Sequence, residues 1–587
     1  MALKRSVGGV QRLFLVLGKL TALIIALSVG AAVVRWFTSK HVPGKTVLEL
    51  DLDASYAEHV PDEGVESLLF REAPRFRNLI DAVRKAAGDS RVKGIVARGG
   101  NVRMGIGQVQ EFRDALTAFR SAGKPAVLYA ETFGELSPAN VSYYLASAFE
   151  KIYLQPSGEL GLTGFVSFTP FYRSTLDKVG VQPQIDHRKE YKSAKNILTE
   201  TEYTPAHRAA VEAMLTSLSS QMLGAVSRER NIDSAQVPAL IDRGPFSAAG
   251  ALENNLIDDT LYRDEVYEGL TQRLGKDIEY LSAGEYLDRG GKRHEDGTTI
   301  ALIYGVGSIY RGRSRESFLN GEMMGSETVT RAFRKAVDES EVKGILFRIE
   351  SPGGSYVASD EIRRGVARAG QAGKPVVVSM ANVAASGGYF IALPASAVVA
   401  QPGCLTGSIG VVAGKAVTRG LWNKLGVTWD NVNTAANADF WSPIAAYDSS
   451  QWNRLQEFLD KVYNDFTAEV AAARELPPDS VLSIARGRVW TGADAFRLGL
   501  VDTLGGMETA LAMLRREVGI APDAAVHLKI FPRPRPLLER ILDRNRPRSQ
   551  EAVDLVRAST VLRRAAAELG LTGTPGVMRA QELPQPR

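Results

Sequence analysis

The chain has only one cysteine, Cys404, among its 587 residues. A single thiol excludes an intramolecular disulfide and any zinc site built from several thiolates. Histidine is also scarce, because there are six and none of them lies between residues 299 and 521. A catalytic base for that stretch must therefore be another residue type or come from another part of the chain.

Excess charge is small as well. Lys and Arg total 71 and Asp and Glu total 66, so the formal net charge is +5. Residues 533–587 alone contain eleven Arg, no Lys and six acids, which gives 11 − 6 = +5. The rest of the chain is neutral and is therefore a poor partner for nucleic acid. With 45% hydrophobic and 23% charged residues, the composition excludes a disordered chain and a polytopic membrane protein.

The sequence has one long apolar run, at residues 13–34, and Lys4, Arg5 and Arg12 precede it. Its 22 residues, at about 1.5 Å each, span roughly 33 Å, which is enough to cross the apolar core of a bilayer. A cleaved signal peptide is the alternative, because the apolar part after Lys19 is short and ends in small residues. We expect one uncleaved anchor, with most of the chain outside the cytoplasm.

The two halves of the chain repeat each other. Four stretches recur with small changes and in the same order, at offsets of 250, 250, 246 and 243 residues: RVKGI at 91–95, AGKP at 122–125, YYLA at 143–146 and LTG at 162–164. A period this long indicates two copies of a whole domain and not a solenoid of short repeats.

Each copy alternates short β-branched runs with amphipathic stretches. In the second copy this pattern predicts strands at 300–306, 344–349, 376–380 and 397–400 and helices at 327–337 and 358–368. Such alternation favours an α/β fold with a largely parallel sheet and helices outside it. We expect domains at 45–287 and 298–521, a linker at 288–297, and a basic tail at 522–587. The tail is either a solvated arm or a basic patch for anionic lipid.

The second copy has a glycine pair that the first copy lacks. SPGGS at 351–355 directly follows a predicted strand, and adjacent glycines there let main-chain N–H groups converge on an anion, as an oxyanion hole requires. Carried back by 250 residues, Gly353 and Gly354 become Arg103 and Met104.

A serine nucleophile candidate is also confined to the second copy. Ser386 lies between a predicted strand and a helix and is followed by Gly387, whose N–H would face the same site as Gly354. Carried back by 246 residues, Ser386 becomes Asn140. A helix N-cap in a tight turn explains most isolated Ser-Gly-Gly sequences, but the earlier glycine pair favours a nucleophile here.

The candidate base lies in the first copy. KEYKSAK at 189–195 contains three lysines, whereas its counterpart 246 residues later, AANADFW at 435–441, contains none. One half thus has a serine without a lysine, and the other has lysines without the serine. This pattern is typical of a two-domain site in which each copy kept one partner. A lysine can act as a base when burial lowers its pKa; solvated surface lysines are the alternative interpretation.

These motifs together resemble a known family. The set comprises SPGGS at 351–355, AASGGYF at 384–390, LTGSIG at 405–410, EYKSA at 190–194 and RGRVWTGADAFRLGLVD at 486–502. With the anchor and the duplication, they resemble the long, duplicated form of bacterial signal peptide peptidase A, also called protease IV, over roughly residues 46–521.

The resemblance implies a fold and a site. The fold would be α/β, a tandem duplication of a crotonase-like (ClpP-like) domain with one N-terminal transmembrane helix. The activity would be that of a serine peptidase with Ser386 as nucleophile and Lys192 as general base. Ser408 would hydrogen-bond the lysine, and Gly354 and Gly387 would supply the oxyanion N–H groups. No metal or organic cofactor is implied.

The resemblance also implies partners and a location. Substrates would be signal peptides and other membrane-derived peptides, and the chain would form a homotetramer. It would be a single-pass protein in contact with lipid of the bacterial inner membrane, with residues 1–12 in the cytoplasm and the catalytic domains on the periplasmic side. No nucleic-acid partner is expected.

Two other function classes stay open on the sequence. A crotonase-type acyl-CoA enzyme uses a similar oxyanion pair, but it would be soluble and would not depend on Ser386. A membrane-tethered scaffold that only binds peptides would be non-catalytic. Within the peptidase class, His187 could replace the lysine as base, and Lys189 or Lys195 would take that role if the register of EYKSA were different.

Overall fold

The computed structural model describes residues 41–59, 74–317, 321–532 and 577–579. The predicted anchor at 13–34 and most of the predicted tail lie outside these residues. Within the described ranges, no helix combines the length and the apolar character needed to cross a membrane.

The first half forms one domain around a parallel sheet. Its elements are β1 (Thr46–Asp51), α1 (Phe76–Gly88), β2 (Val92–Arg98), α2 (Ile106–Ser121), β3 (Ala126–Ala130), α3 (Asn140–Ala146), β4 (Lys151–Leu154), β5 (Glu159–Leu160), α4 (Arg173–Val179), β6 (Gln182–Arg188), a 3₁₀ turn (Ser193–Lys195), α5 (Asn196–Thr199), α6 (Pro205–Arg230), α7 (Val237–Arg243), β7 (Phe246–Ser247), α8 (Ala248–Glu253), β8 (Asp259–Thr260), α9 (Arg263–Leu274), β9 (Glu279–Ser282) and α10 (Ala283–Gly290).

Six of these strands pair in the order β8-β4-β3-β2-β1-β9, and every pairing is parallel. Central parallel strands must be apolar on both faces, and β3, with the sequence AVLYA, is buried at every position. Helix α1 places Leu79, Val83 and Ala86 on one buried face against the sheet.

The second half repeats this arrangement. Its elements are β10 (Thr298–Val306), β11 (Ser308–Tyr310), β12 (Arg315–Ser317), β13 (Gly321–Gly325), α11 (Ser326–Asp338), β14 (Gly344–Ser351), β15 (Gly353–Ser355), α12 (Tyr356–Gln371), β16 (Val376–Ala385), α13 (Gly387–Phe390), β17 (Ala397–Ala400), β18 (Leu405–Gly407), β19 (Val411–Val417), α14 (Arg419–Lys424), α15 (Ser449–Arg474), α16 (Pro478–Ile484), β20 (Val489–Thr491), α17 (Gly492–Arg497), β21 (Thr503–Leu504), α18 (Met507–Glu517) and β22 (Val526–Phe531).

The strand order β21-β17-β16-β14-β10-β22 reproduces that of the first sheet position by position. The duplication and the predicted strands and helices of the second copy are therefore confirmed. The second sheet also extends beyond residue 521, because β22 pairs in parallel with β10 from Thr298–Val526 to Ile303–Phe531. This short edge strand follows the loss of clear periodicity, which is why the sequence pattern ends the domain earlier.

Matching side chains make matching contacts in the two halves. The hydroxyl of Tyr143 donates to the carbonyl of Leu256 at 2.6 Å, and that of Tyr389 donates to the carbonyl of Leu500 at 2.8 Å. The long helices α6 and α15 have 26 residues each. The duplication therefore extends from topology to individual buried hydrogen bonds.

A two-stranded ribbon joins the halves next to the lysine and serine motifs. Strand β6 of the first half pairs antiparallel with β19 of the second, from Gln182–Val417 to Arg188–Val411. EYKSA follows β6 and LTGSIG precedes β19, so the ribbon brings the two motifs to the same place.

Buried ionic contacts fix the halves to each other. Arg348 on β14 is 1% exposed and donates at 2.8 Å both to Glu58 Oε1 and to Glu111 Oε2 of the first half. Glu111, on α2, also accepts a hydrogen bond of 2.7 Å from Met507 N. Removing one partner of such a buried pair is costly, so these contacts hold the relative position of the two domains.

Strand β15 belongs to a small second sheet of the order β12-β13-β11-β15-β23, where β23 is Val577–Arg579 from the predicted tail. The pairing of β15 with β23 is antiparallel and places Gly354 opposite Met578. An extended segment thus lies along the strand that carries the SPGGS glycines.

Candidate active site

Lys192 and Ser386 meet although 194 residues separate them in sequence. The Nζ of Lys192 lies 2.9 Å from Ser386 Oγ, and both side chains are buried. The structure therefore brings the lysine of one half to the serine of the other within a single chain.

Ser408 provides two further contacts to the lysine. Lys192 Nζ lies 2.8 Å from the carbonyl oxygen of Ser408 and 3.0 Å from its Oγ. Ser408 has a φ of +51°, and its main-chain N–H donates to Arg488 O at 2.8 Å. The predicted lysine-orienting serine is thus at hydrogen-bonding distance, held by the RGRVW segment.

Among the residues that the structure describes, no carboxylate lies close enough to Lys192 to favour its charged form. Burial lowers its pKa from the ordinary value to about 7, because removal from water disfavours the ammonium form. Met214 and Val489 line the cavity beside Lys192. A substantial fraction of this lysine is therefore neutral near pH 7 and able to accept a proton.

Two glycines make room for the lysine side chain. A Cβ on Gly487 would lie 2.5 Å from Lys192 N and 2.6 Å from its Cβ, and a Cβ on Gly410 would lie 3.3 Å from its Cδ. Gly487 also has a φ of +86°, where glycine is favoured. A side chain at residue 487 would displace the lysine from the serine.

Ser386 has an unusual main-chain conformation. Its φ is +56° and its ψ is −118°, a region that costs a non-glycine residue about 1–3 kcal/mol and that is typical of functional sites. Its N–H donates to Gly407 O at 2.8 Å, and its carbonyl accepts from Phe390 N at 2.9 Å, at the start of α13. These contacts hold the hydroxyl at the sharp turn between β16 and α13.

The two predicted oxyanion glycines lie beside each other. A Cβ on Gly387 would be 3.2 Å from Gly354 N and 2.6 Å from Ser359 Oγ. A Cβ on Gly354 would be 2.1 Å from the carbonyl oxygen of Ile309. The main chains of the two loops therefore approach more closely than any larger residue would permit.

The alternative bases lie elsewhere. His187 is on β6 with its Nδ1 3.3 Å from Asp186 Oδ1, and Lys195 Nζ is also 3.3 Å from that oxygen. Lys189 Nζ lies over the ring of Tyr463, 5.7 Å from its centre. Lys192 is the candidate that the structure places at Ser386.

The chain matches the family model described as Peptidase family S49 over residues 118–279 and 368–521. Protease 4 of Salmonella typhi is 35% identical over 448 residues, which cover 74% of this chain and 71% of that relative. The serine protease SPPA, chloroplastic, of Arabidopsis thaliana is 30% identical, with coverage of 78% of this chain and 68% of the relative. This chain belongs to peptidase family S49. Its resemblance to the long, duplicated protease IV type is confirmed, and a serine protease is the class of enzyme that the family supports.

In this S49 peptidase the first half has a different residue at the serine position. Asn140 accepts hydrogen bonds from the N–H groups of Thr163 and Gly164 at 3.1 and 2.9 Å, and its Nδ2 donates to Gly164 O at 2.8 Å. The side chain fastens the LTG loop that matches residues 405–407. Asn140 is therefore a structural residue in the described fold.

Several site residues of the S49 peptidase were not predicted as such. Gly487 and Arg488 lie in RGRVW, which the sequence analysis used only as a family motif. Gly410 is the last residue of LTGSIG, which the sequence analysis likewise used as a family motif without giving Gly410 a role. The two glycines stand in or beside motifs, which is a weak signal. The contact of Gly487 with Lys192 joins two loops that are almost 300 residues apart, and such a contact leaves no local pattern in the sequence.

Proposed function

We propose that this S49 peptidase is an endopeptidase that works through a Ser/Lys dyad, with Ser386 as nucleophile and Lys192 as general base. The observation that carries the proposal is the 2.9 Å contact between Lys192 Nζ and Ser386 Oγ, in a site where burial lowers the pKa of the lysine to about 7.

The reaction is acyl transfer to water. Neutral Lys192 takes the proton of Ser386 as Oγ attacks the substrate carbonyl, and the N–H groups of Gly354 and Gly387 bind the resulting oxyanion. One such donor contributes about 3–4 kcal/mol in comparable sites. The protonated lysine then gives its proton to the leaving amine, and water hydrolyses the acyl-enzyme. Ser408 keeps the amine directed at Ser386, and the scheme requires no metal or organic cofactor.

The proposed substrates are extended apolar peptides, above all cleaved signal peptides. The pairing of β23 with β15 supports an extended binding mode, since it shows that a peptide segment fits antiparallel to Gly353–Ser355. The site would then read main-chain groups and place substrate side chains alternately.

We propose the location from the apolar run near the start of the sequence. The apolar run at 13–34 would anchor the chain in the lipid of the bacterial inner membrane, with residues 1–12 in the cytoplasm and both domains on the periplasmic side. Signal peptides remain in that membrane after cleavage, so an anchored peptidase would meet them there.

We also propose that the chain, with its two crotonase-like domains, forms a homotetramer. Within one chain, β6 pairs with β19, but among the described residues their counterparts in the other copy, near 428–434 and 168–174, form no such ribbon. Phe168 is 82% exposed and Val432 is 98% exposed. Head-to-tail contacts between chains would cover these apolar ends and would close into a ring.

The test is hydrolysis of a quenched fluorescent signal-peptide mimic by the full chain in detergent. We expect that Ser386→Ala and Lys192→Ala each abolish cleavage while the chain stays folded and its oligomeric size is unchanged. Ser396→Ala, a change at a serine whose Oγ bonds Val376 O, is the matched control and should retain activity. Cleavage by Ser386→Ala at the wild-type rate would overturn the proposed nucleophile.

Mixing the two inactive variants tests how the dyad is assembled. Because Lys192 Nζ and Ser386 Oγ of the same chain lie 2.9 Å apart, the mixture should stay inactive. Recovered activity would show that the lysine and the serine come from different chains.

A further inference from the structure

Glu350 is a partly buried carboxyl group that the reaction scheme above does not use. It is the next-to-last residue of β14 and directly precedes the SPGGS turn. Its Oε2 accepts a hydrogen bond of 2.6 Å from Asn382 N, and Asn382 lies on β16 four residues before Ser386. One carboxyl group therefore connects the strand that leads to Gly354 with the strand that leads to the nucleophile.

The pairing of these two strands is interrupted at this carboxyl. It is one-to-one up to Ile349–Met380 and resumes at Ser351–Ala384. Across the break β14 advances by two residues and β16 by four, so N–H groups of β16 have no carbonyl partner on β14. Glu350 supplies the acceptor that the interrupted ladder lacks.

Within the described ranges, no cation forms a salt bridge with Glu350. Arg348, from the same strand, already binds Glu58 and Glu111 at 2.8 Å each. Burial, and then the charge of Glu58, raise the pKa of Glu350 to about 8, against the opposing effects of Arg348 and the main-chain N–H groups. The other titratable neighbour is the thiol of Cys404, whose pKa burial raises as well. Both groups are therefore predominantly neutral at pH 7.

We propose that Glu350 is a positioning residue of the active site, which in its neutral form fixes the strand leading to Ser386 against the strand leading to the oxyanion glycine. The inference rests on the proposed Ser/Lys function. Glu350 acts through the main chain of β16 and does not touch the substrate.

Ionisation of Glu350 would act against the reaction in two ways. A carboxylate there would add a negative charge near the pocket in which the negative oxyanion forms. It would also repel Glu58, which loosens the contact between the halves. The proposal therefore predicts that activity rises with pH as Lys192 loses its proton and falls again as Glu350 loses its own.

The experiment measures kcat and KM of the full chain between pH 6 and 10, for wild type, Glu350→Gln and Glu350→Ala. The amide of Glu350→Gln still offers an oxygen to Asn382 N but cannot ionise. We expect its kcat at pH 7 to be within about twofold of wild type. Wild-type kcat should fall about tenfold or more between pH 8 and 9.5, as expected when a group of this pKa must stay protonated, and the glutamine variant should not show this fall.

Glu350→Ala removes the acceptor. Its kcat should fall at least about tenfold at pH 7 with little change in KM, because a misplaced nucleophile weakens the transition state more than substrate binding. If the alanine variant does not fold, the pH profile of the glutamine variant decides alone. Glu361→Gln, a change at an exposed carboxyl on α12, is the matched control and should retain the wild-type profile.

The proposal is overturned if Glu350→Gln keeps the alkaline fall of the wild type, if it is inactive at pH 7, or if a folded Glu350→Ala has wild-type kcat. These failures differ from failure of the proposed function. If only the role of Glu350 is wrong, hydrolysis still depends on Ser386. If the proposed function is wrong, Ser386→Ala still hydrolyses the peptide.

Discussion

The two halves of the molecule have the same strand order but treat one equivalent position in opposite ways. In the first half, the Asn140 side chain binds the main chain of residues 163–164. In the second half, the main-chain N–H of Ser386 binds Gly407 of the matching loop, at 2.8 Å. Because the main chain makes the structural contact in the second half, the serine side chain remains available for chemistry.

The lysine motif differs between the halves in the opposite sense, because here the first half has the buried residue. In the first half, EYKSA continues from β6 into the site of the other copy, where Lys192 is buried. The counterpart in the second half, at 435–441, lies in an exposed loop. A duplicated fold can thus divide the proposed catalytic pair between its copies, because the β6–β19 ribbon connects them.

The largest effect is expected from Lys192→Met, which leaves the serine half intact and removes only the lysine. Hydrolysis of the quenched peptide should fall at least about a thousandfold, since no base remains at Ser386. The folded protein should become more stable near pH 7, because the native pKa of about 7 shows that the fold disfavours the ammonium form.

The sign of this stability gain can be checked by measuring the free energy of unfolding at several pH values. The wild type carries the full cost of the charged lysine below pH 7, and it loses that cost as pH rises toward the unfolded value of about 10.5. The gain from Lys192→Met should be on the order of 5 kcal/mol at pH 6 and should vanish above pH 10.5, as measured by denaturant unfolding. A variant that is less stable than wild type at pH 6 would contradict the assignment of a strained, buried lysine.

Acid pH should inactivate the enzyme through the lysine half alone. With a pKa of about 7 for Lys192, the neutral fraction, and with it kcat/KM, should fall about tenfold per pH unit below that value, reaching about a hundredfold at pH 5. The measurement is the pH profile of peptide hydrolysis, with circular dichroism to confirm that the fold persists. Constant activity down to pH 5 would exclude Lys192 as the base.

Gly487→Ala should disturb the contact between the halves while both reacting residues, Lys192 and Ser386, are kept. The added Cβ would meet Lys192 at 2.5 Å, so we expect kcat to fall about ten- to a hundredfold as the amine moves from Ser386. Gly426→Ala is the control for main-chain strain, because Gly426 has a φ of +78° with no atom near its Cβ position. Equal losses in the two variants would show that strain, and not displacement of the lysine, is the cause.

Asn140→Ser introduces into the first half the residue that the second half uses. It should destabilise the fold by about 1–3 kcal/mol, because buried groups of the 163–164 loop lose their partners, and it should create no second active site. A lower denaturant midpoint together with an unchanged kcat would agree with this prediction. Unchanged stability would mean that Asn140 does not fasten the loop.

The smallest effect concerns the contact that both halves share. Tyr143→Phe and Tyr389→Phe each remove a buried hydroxyl and leave one carbonyl without its donor, at Leu256 and Leu500. Each should cost about 1–2 kcal/mol, with similar values in the two halves and little change in kcat. A large loss of activity only in Tyr389→Phe would show that the serine half depends on this bond for catalysis.

Much of the fold follows from local patterns. The strands of the second copy are runs of β-branched residues such as VVVSM at 376–380, and the asymmetry between Ser386 and Asn140 predicted the position at which the structure places a lysine beside a serine. Patterns of this kind report on neighbours in sequence. They were sufficient to predict the strands β14 and β16 and the helices α11 and α12.

Other features depend on contacts that a local pattern does not contain. β6 has the sequence QPQIDHR, which has weak strand propensity and forms a strand only because β19 pairs with it across the halves. Glu350 would be expected at the surface from its type, but it is partly buried where the β14–β16 pairing is interrupted. The role of Gly487 depends on a loop of the other half.

The distribution of the site along the chain also determines when a newly made molecule can begin to cut. A ribosome adds the first half before the second, so a nascent chain has Lys192 long before Ser386, and Gly487 later still. Domains generally fold as units in that order. If the proposed Ser/Lys mechanism holds, the growing polypeptide therefore cannot cleave a peptide until the serine half has been synthesised and has folded.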